Sequence, residues 1–391
     1  MRVLHVGKFF PPTAGGIENF LGDLLPVQKK QKMEVAALVH EDVAAPLSVA
    51  KDAAADSGQV FRVPCYGRLL YAPISPGFPL ALRRIIREYK PDIIHIHMPN
   101  TSALAALFLP CARKIPWVIH WHADVVPSEV DTRMALAYRF YRPLEQWLLA
   151  RASSVIATSQ RYLQSSEPLQ RWRAKCMVIP LGMDVVRLRE PDNLPLMGAE
   201  EIWGADKRCR VLAVGRLSYY KGHNVLIRAA AEAPDLRVVI VGEGEQRSRL
   251  EKLVVRLGVQ DRVSLVGFLP SENLQALIAT SDCLCLPSIE RTEAFGLVLL
   301  EVMRYGKPVV AGDLSGSGIG WVVQDGETGL LVSPGEVSLF ATALQKLADD
   351  RLLRQRLGNN GRERLLKMFH IDHVAVQIKT LYEQIIAERE N

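Results

Sequence analysis

Short runs of buried-type residues punctuate the first half of the chain: RVLHV, EVAALV, QVFRV, DIIHI, WVIH, SVIAT and CMVIP. Between many of them lie stretches whose apolar positions recur with a helical period, at 17–30, 79–89, 132–150 and 159–165. Unbroken Val, Ile and Leu runs mark strands covered on both faces, and the helices between them supply the cover. The alternation therefore predicts a parallel sheet wrapped by helices.

Residues 186–208 break the rhythm. They hold no sustained period and carry Pro191, Pro195, Gly198 and Gly204, which predicts a linker. The alternation then restarts with RVLAVG, LRVVIVG, RVSLVG, DCLCLP and KPVVAG and ends in three helical stretches, at 337–349, 352–368 and 371–388. The expected organisation is one α/β domain over 1–185, a second over 209–370, and a terminal helix over 371–391. Two such domains suit 391 residues, too many for one ordinary core. Ligands of open α/β sheets bind beyond the carboxyl ends of the strands, so a cleft between the domains is the expected site.

Composition and charge narrow the class. Nearly half of the residues are apolar and 23% are charged, the balance of a folded protein. Six cysteines are scattered without zinc spacing, and Cys283 and Cys285 read as buried small hydrophobes. Met1 runs straight into a strand-like RVLHVG rather than a leader, and the longest apolar stretch, 101–112, falls short of the ~20 residues that span a bilayer. A cytoplasmic protein, at most peripheral to a membrane, is expected. Residues 1–185 hold 22 Lys and Arg against 15 Asp and Glu, a balance of +7, while the remaining 26 against 27 leave −1. The basic half points to an anionic partner, and charge alone does not separate a membrane surface from nucleic acid.

The segment SIERTEAFGLVLLEVMRYGKPVVAG (288–312) is the strongest chemical signal. Its pattern predicts a strand, a loop with Glu293, and a helix entered at Phe295-Gly296 that contains Glu301. Free amides and the positive dipole end at such a helix start suit a diphosphate. Ionised carboxylates accept hydrogen bonds only, which suits sugar and ribose hydroxyls. Taken singly, either glutamate reads more simply as a helix cap or a solvated side chain. Upstream, VGRLSYYKG places Arg216 and Lys221 in a loop after a strand, where two cations would stabilise a departing diphosphate. The bland alternative is an ordinary basic loop. VGEGEQ lacks the third glycine of a dinucleotide fingerprint and is discounted.

In the first half, Gly15 and Gly16 in FFPPTAGGIENFL allow close backbone approach at a helix start, or form a simple turn. WVIHWHADVVPSE carries His120, His122 and Asp124. His120 reads as a core residue and His122 as a group leaving the strand towards the cleft. Their spacing raises a metal alternative that ranks low without further ligands. His95 and His97 read as core or wall residues.

These elements, in order, resemble the retaining glycosyltransferases of family 4. The resemblance runs through PPTAGGIE, PDIIHIH, WHAD, ATS, VIPLGMD, VGRL…KG, VGEGE, VGFLP and EAFGLVLLE with its two glutamates eight apart. It implies an α/β GT-B fold: two Rossmann-like doubly wound domains facing a central cleft, with the C-terminal helix crossing back to the first. It implies that Arg216 and Lys221 hold the diphosphate, that Glu293 holds the transferred sugar, and that the amides of Ala294, Phe295, Gly296 and Leu297 cradle both. Glu301 is similar to the ribose ligand, Gly16 beside Gly15 to the glycine that contacts the diphosphate, His122 to the histidine near the reacting sugar, and Gly267-Phe268-Leu269 to part of the base pocket. Chemistry of this kind needs no metal and no cofactor. The leaving diphosphate helps to deprotonate the acceptor on the same face.

WHAD followed by VV resembles bacterial polysaccharide mannosyltransferases of that family, so GDP-mannose is the expected donor ahead of UDP-glucose, UDP-galactose or UDP-N-acetylglucosamine. The expected acceptor is a glycan or lipid-linked saccharide. Two arginine-bearing segments, 78–90 and 132–151, are candidates for contact with an anionic membrane, against the simpler reading of core-facing stripes with solvated arginines. An epimerase or phosphorylase would share the layout, but no segment argues for a pyridoxal phosphate lysine. No nucleic-acid-binding motif stands out, and no nucleic acid partner is expected.

Overall fold

The computed structural model describes residues 1–13, 15–41, 50–52, 58–69, 72–125 and 132–390. Its contacts divide the chain into two compact units. The first comprises 1–183 with 371–391, and the second comprises 184–370.

In the first unit the strands are β1 (Arg2–Val6), β2 (Glu34–Glu41), β3 (Ala50–Asp52), β4 (Gln59–Pro64), the short hairpin of β5 (Arg68–Leu69) and β6 (Ala72–Pro73), then β7 (Ile93–Met98), β8 (Trp117–Trp121), β9 (Ser154–Ala157) and β10 (Cys176–Val178). Among the described residues eight of them form one sheet in the order β10-β9-β8-β7-β1-β2-β4-β3. All neighbours run parallel except the edge pair β3 and β4. β1 and β7–β9 are buried on both faces because helices cover both, and they carry residues such as Val3, Leu4, Ile94, Ile96 and Val118 at 0% exposure. The helix Ile371–Glu390 packs on the helix Gly16–Lys30 and buries Tyr382 fully, so the end of the chain completes the first unit.

The second unit contains β11 (Cys209–Val214), β12 (Leu236–Val241), β13 (Val263–Gly267), β14 (Cys283–Leu286), β15 (Val309–Gly312) and β16 (Gly329–Val332). They form an all-parallel sheet ordered β13-β12-β11-β14-β15-β16. Read outwards from β11 this is the doubly wound order, which reverses direction between β11 and β14. In the first unit the reversal falls between β1 and β7. In doubly wound sheets the loops leaving such a pair of strands diverge and leave a crevice at the carboxyl edge.

The stretch expected to be a linker is not one. Residues Asn193–Trp203 form a helix within the second unit, with Trp203 buried and its Nε1 donating to Thr280 Oγ1 at 2.9 Å. Residues 185–190 are fastened as well: Arg304 Nε donates to the Val185 carbonyl at 3.1 Å and Tyr305 Oη to that of Arg189 at 2.6 Å. The sequence pattern also missed β16, a four-residue strand.

The arginine-bearing segments differ from each other. In the helix Phe78–Tyr89, Phe78, Leu82, Ile85 and Ile86 are buried and Leu80 is exposed, which is a core-facing stripe. The helix Thr132–Arg151 leaves Leu136, Phe140 and Trp147 exposed. Among the described residues no helix is long and apolar enough to cross a membrane.

Candidate functional site

In the second unit the two loops at the order reversal carry the cations and carboxylates. After β11 the chain turns through Gly215 to Arg216, forms a single turn over Tyr219–Lys221, and enters the helix His223–Glu232 at Gly222. Gly222 is irreplaceable on two counts. Its φ of +66° is left-handed, and a Cβ there would sit 2.0 Å from the Pro287 carbonyl oxygen of the loop after β14. That approach, with Ile289 N donating to the Tyr220 carbonyl at 2.8 Å, seats one loop on the other.

The seating brings Lys221 Nζ into an ion pair with Glu293. Their side chains are only 12% and 11% exposed. Burial disfavours the Lys221 ammonium, but the Glu293 carboxylate and Tyr220 outweigh it and raise the lysine's pKa above its ordinary value. Glu293 is held further by Ser288 Oγ, which donates to its carboxylate at 3.3 Å, and by Ser317 Oγ, which donates to its carbonyl. Gly318 N donates to the Ala294 carbonyl at 2.7 Å. Ser317 and Gly318 were missed in the sequence, where SGSG after a strand reads as an ordinary turn.

Glu293 and Ala294 lead through the buried Phe295 to Gly296, whose φ of +75° turns the chain into the helix Leu297–Arg304. The first amides of this helix belong to Leu297 and its successors, so its positive end lies next to Glu293. Glu301 sits one turn from the helix's end, 12% exposed, with Arg187 Nη2 3.7 Å from its carboxylate. Gly267 ends β13 in a left-handed conformation and its carbonyl accepts from Gly242 N at 2.8 Å. Phe268 beyond it is exposed and Leu269 half-buried. Arg216 is exposed. The structure thus gathers Lys221, Glu293 and the 294–297 turn tightly, with Arg216 on the same loop as Lys221. Phe268 and Leu269 lie two strands away from β11, at the same sheet edge. Such a set can bind an anion beside a polyol: cations and helix amides for phosphate, carboxylates for hydroxyls.

In the first unit Gly15 precedes the helix Gly16–Lys30, and Asn19 N donates to its carbonyl at 2.9 Å. His122 follows β8 and is buried, with its Nε2 2.9 Å from His97 Nδ1. Asp124 does not join the histidines: its carboxylate accepts from Trp121 Nε1 at 2.7 Å and from Ser166 Oγ at 2.6 Å. His95, His97 and His120 are buried, as wall or core residues should be, but His95 and His97 also make side-chain hydrogen bonds that the sequence did not reveal, and the His120 ring stacks on them.

Two family profiles match the chain. One described as glycosyl transferases group 1 covers residues 200–364, and one described as glycosyl transferase 4-like domain covers residues 15–182. The chain is 29% identical over 392 residues to the O-antigen chain mannosyltransferase C of Escherichia coli, covering the whole of both. It is 30% identical over 373 residues to the D-rhamnosyltransferase WbpZ of Pseudomonas aeruginosa, covering 94% of this chain and 92% of that one. Among solved structures, the sucrose-phosphate synthase of Thermosynechococcus elongatus superposes with a TM-score of 0.81 at 25% identity, over 99% of each chain. The fold is the GT-B arrangement of two Rossmann-like domains.

Proposed function

The chain belongs to the group 1 glycosyl transferases, and from that premise we propose that it moves mannose from GDP-mannose to a glycan or lipid-linked saccharide. The product is a cell-surface polysaccharide, the anomeric configuration is retained, and no metal takes part. The observation that carries this reading is the buried Lys221–Glu293 pair at the start of the helix Leu297–Arg304. The O-antigen relative supports mannose and a polysaccharide acceptor. The WbpZ name supports a second reading with the same chemistry, transfer of a D-rhamnosyl group.

On this reading Arg216, Lys221 and the amides of residues 294–297 bind the diphosphate and take up the charge that grows as it leaves. Glu293 accepts hydrogen bonds from the sugar once Lys221 shifts its charge to phosphate. Glu301 accepts from the ribose, Gly267, Phe268 and Leu269 border the base, and Gly15, Gly16 and His122 face the donor from the first unit. The departing diphosphate takes the acceptor's proton, so the new bond forms on the face that the old one left.

Exposed Leu136, Phe140 and Trp147 on the helix Thr132–Arg151, in the basic half of the chain, support contact with an anionic bilayer where a lipid-linked acceptor resides.

A panel of nucleotide sugars read by thermal shift tests the donor. A ligand that binds the folded state alone raises its melting point by mass action. GDP-mannose should shift it and UDP-hexoses should not. The reverse pattern overturns the donor assignment.

A further inference from the structure

Five of the chain's nine histidines, His5, His95, His97, His120 and His122, stand together across β1, β7 and the end of β8, each no more than 4% exposed. Burial holds them neutral, with His5 lowered to about 4 and His122 to about 3. Three of them form a row. His5 Nδ1 lies 3.1 Å from His97 Nε2, and His97 Nδ1 lies 2.9 Å from His122 Nε2. The ring centres are 5.4 and 5.2 Å apart at interplanar angles of 30° and 14°. Two ring radii plus the nitrogen gap account for each separation, so both bonds run along the line of centres.

A neutral imidazole has one N–H and one lone pair, so a row of them has a direction. The direction is set at its inner end. Gln28 Oε1 lies 2.8 Å from His5 Nε2, and an amide oxygen can only accept. His5 therefore carries its proton on Nε2 and accepts at Nδ1 from His97 Nε2–H. His97 in turn accepts at Nδ1 from His122 Nε2–H. The Gln28 amide is held one step further back: its Nε2 donates to Tyr382 Oη at 3.4 Å, and that hydroxyl is hydrogen-bonded to His95 Nδ1. The row ends at His122 Nδ1, which is buried and meets no hydrogen-bond partner among the described residues.

Two histidine triads also bring nitrogens within 4.8 Å of one another, a grouping that a metal ion could use. The gaps along the row fit hydrogen bonds more closely. Two imidazoles on a tetrahedral zinc at ~2.0–2.1 Å set their nitrogens ~3.3 Å apart, and the 2.9 and 3.1 Å gaps are those of shared protons.

We infer that Tyr382 and Gln28 are positioning residues: through His5 and His97 they fix His122 as the Nε2–H tautomer and leave Nδ1 as a bare acceptor. The consequence for transfer rests on the reading of His122 as a group facing the sugar. His122 then accepts a hydrogen bond from a hydroxyl of the donor and offers none, so the site demands a hydroxyl rather than an acceptor-only substituent there.

Nitrogen-15 NMR on protein labelled at the histidine rings reads the tautomer directly, with His122→Ala assigning the signal. The wild-type His122 should be Nε2–H. Tyr382→Phe frees the Gln28 amide to turn, and Gln28→Met removes the acceptor that starts the row. Each should bring in the Nδ1–H form, with kcat/KM about tenfold lower, the worth of one hydrogen bond. An Nδ1–H His122 in the wild type, or an unchanged tautomer in a folded variant, overturns the inference. A tautomer that moves while turnover stays constant leaves the row standing and removes His122 from the sugar.

Discussion

Lys221 and Glu293 leave the carboxyl ends of adjacent strands, β11 and β14, and meet as an ion pair that is about nine-tenths buried. Each is the other's solvent. Lys221→Ala leaves a nearly buried carboxylate without its cation, and Glu293→Ala does the converse. Breaking a fully buried pair costs about 3–5 kcal/mol, and residual water contact places this one at the lower end. Turnover should fall by about 10²–10³-fold in either variant, as when a preorganised charge partner of the transition state is lost. The double variant should be more stable than the single ones predict by addition, because it strands no charge. Denaturant melts of the three variants, with transfer assays, check this. Near-wild-type turnover in Lys221→Ala removes the pair from the reaction.

Gly222→Ala probes the seat beneath that pair. A Cβ would meet the Pro287 oxygen at 2.0 Å and force a left-handed φ on alanine, so the two loops must part. We expect a loss of about 1–3 kcal/mol and a weaker thermal shift with nucleotide sugar. Gly258, also left-handed at φ +67° but with open space around it, is the control. Alanine there should lower stability without changing the ligand shift.

Glu145 gives a pH dependence. Its side chain is buried, and burial raises its pKa to about 8 although Tyr138 Oη donates to it at 3.2 Å. A raised folded-state pKa means that the folded protein holds a proton that the unfolded chain releases near the ordinary carboxylate value. The stability linked to that proton is complete below the unfolded pKa and is lost as pH rises towards 8. Glu145→Gln should therefore leave stability unchanged at pH 4 and raise it at pH 8, by up to roughly 3 kcal/mol. Melts of both proteins across that range read the crossover. Parallel curves would mean that the Glu145 carboxyl titrates alike in the folded and unfolded chain.

The exposed apolar residues of the helix Thr132–Arg151 predict flotation with anionic vesicles at low salt, and weaker binding as salt screens the basic half. Phe140 is 72% exposed, and Phe140→Ser should weaken binding without altering the melting point. Failure to float at low ionic strength would end the membrane proposal.

Local pattern made much of this legible. The helix Leu297–Arg304 was visible because Gly296 opens it and Pro308 follows it, and β11, β12 and β14 because their runs are apolar throughout. The helix Asn193–Trp203 was hidden by Pro195, which sits harmlessly in its first turn, and by Gly198 in its middle. β16 opens on Gly329 and adds only three half-buried apolar residues, so its run stands out less than those of the equally short β14 and β15. The histidine row could not be read at all. Residues 5, 28, 97, 122 and 382 are joined only by the sheet order and by the return of the last helix, and no spacing along the chain encodes either.

That returning helix has a bearing on how the protein is made. A ribosome releases residues 184–370, a whole domain's worth of chain, between the bulk of the first unit and the piece that finishes it. Throughout that interval the nascent first unit lacks Tyr382, and the apolar face of the helix Gly16–Lys30 that should meet its partner stays uncovered. The half of the molecule translated first is the last to become complete, and it is the half for which a holding chaperone has most to shield.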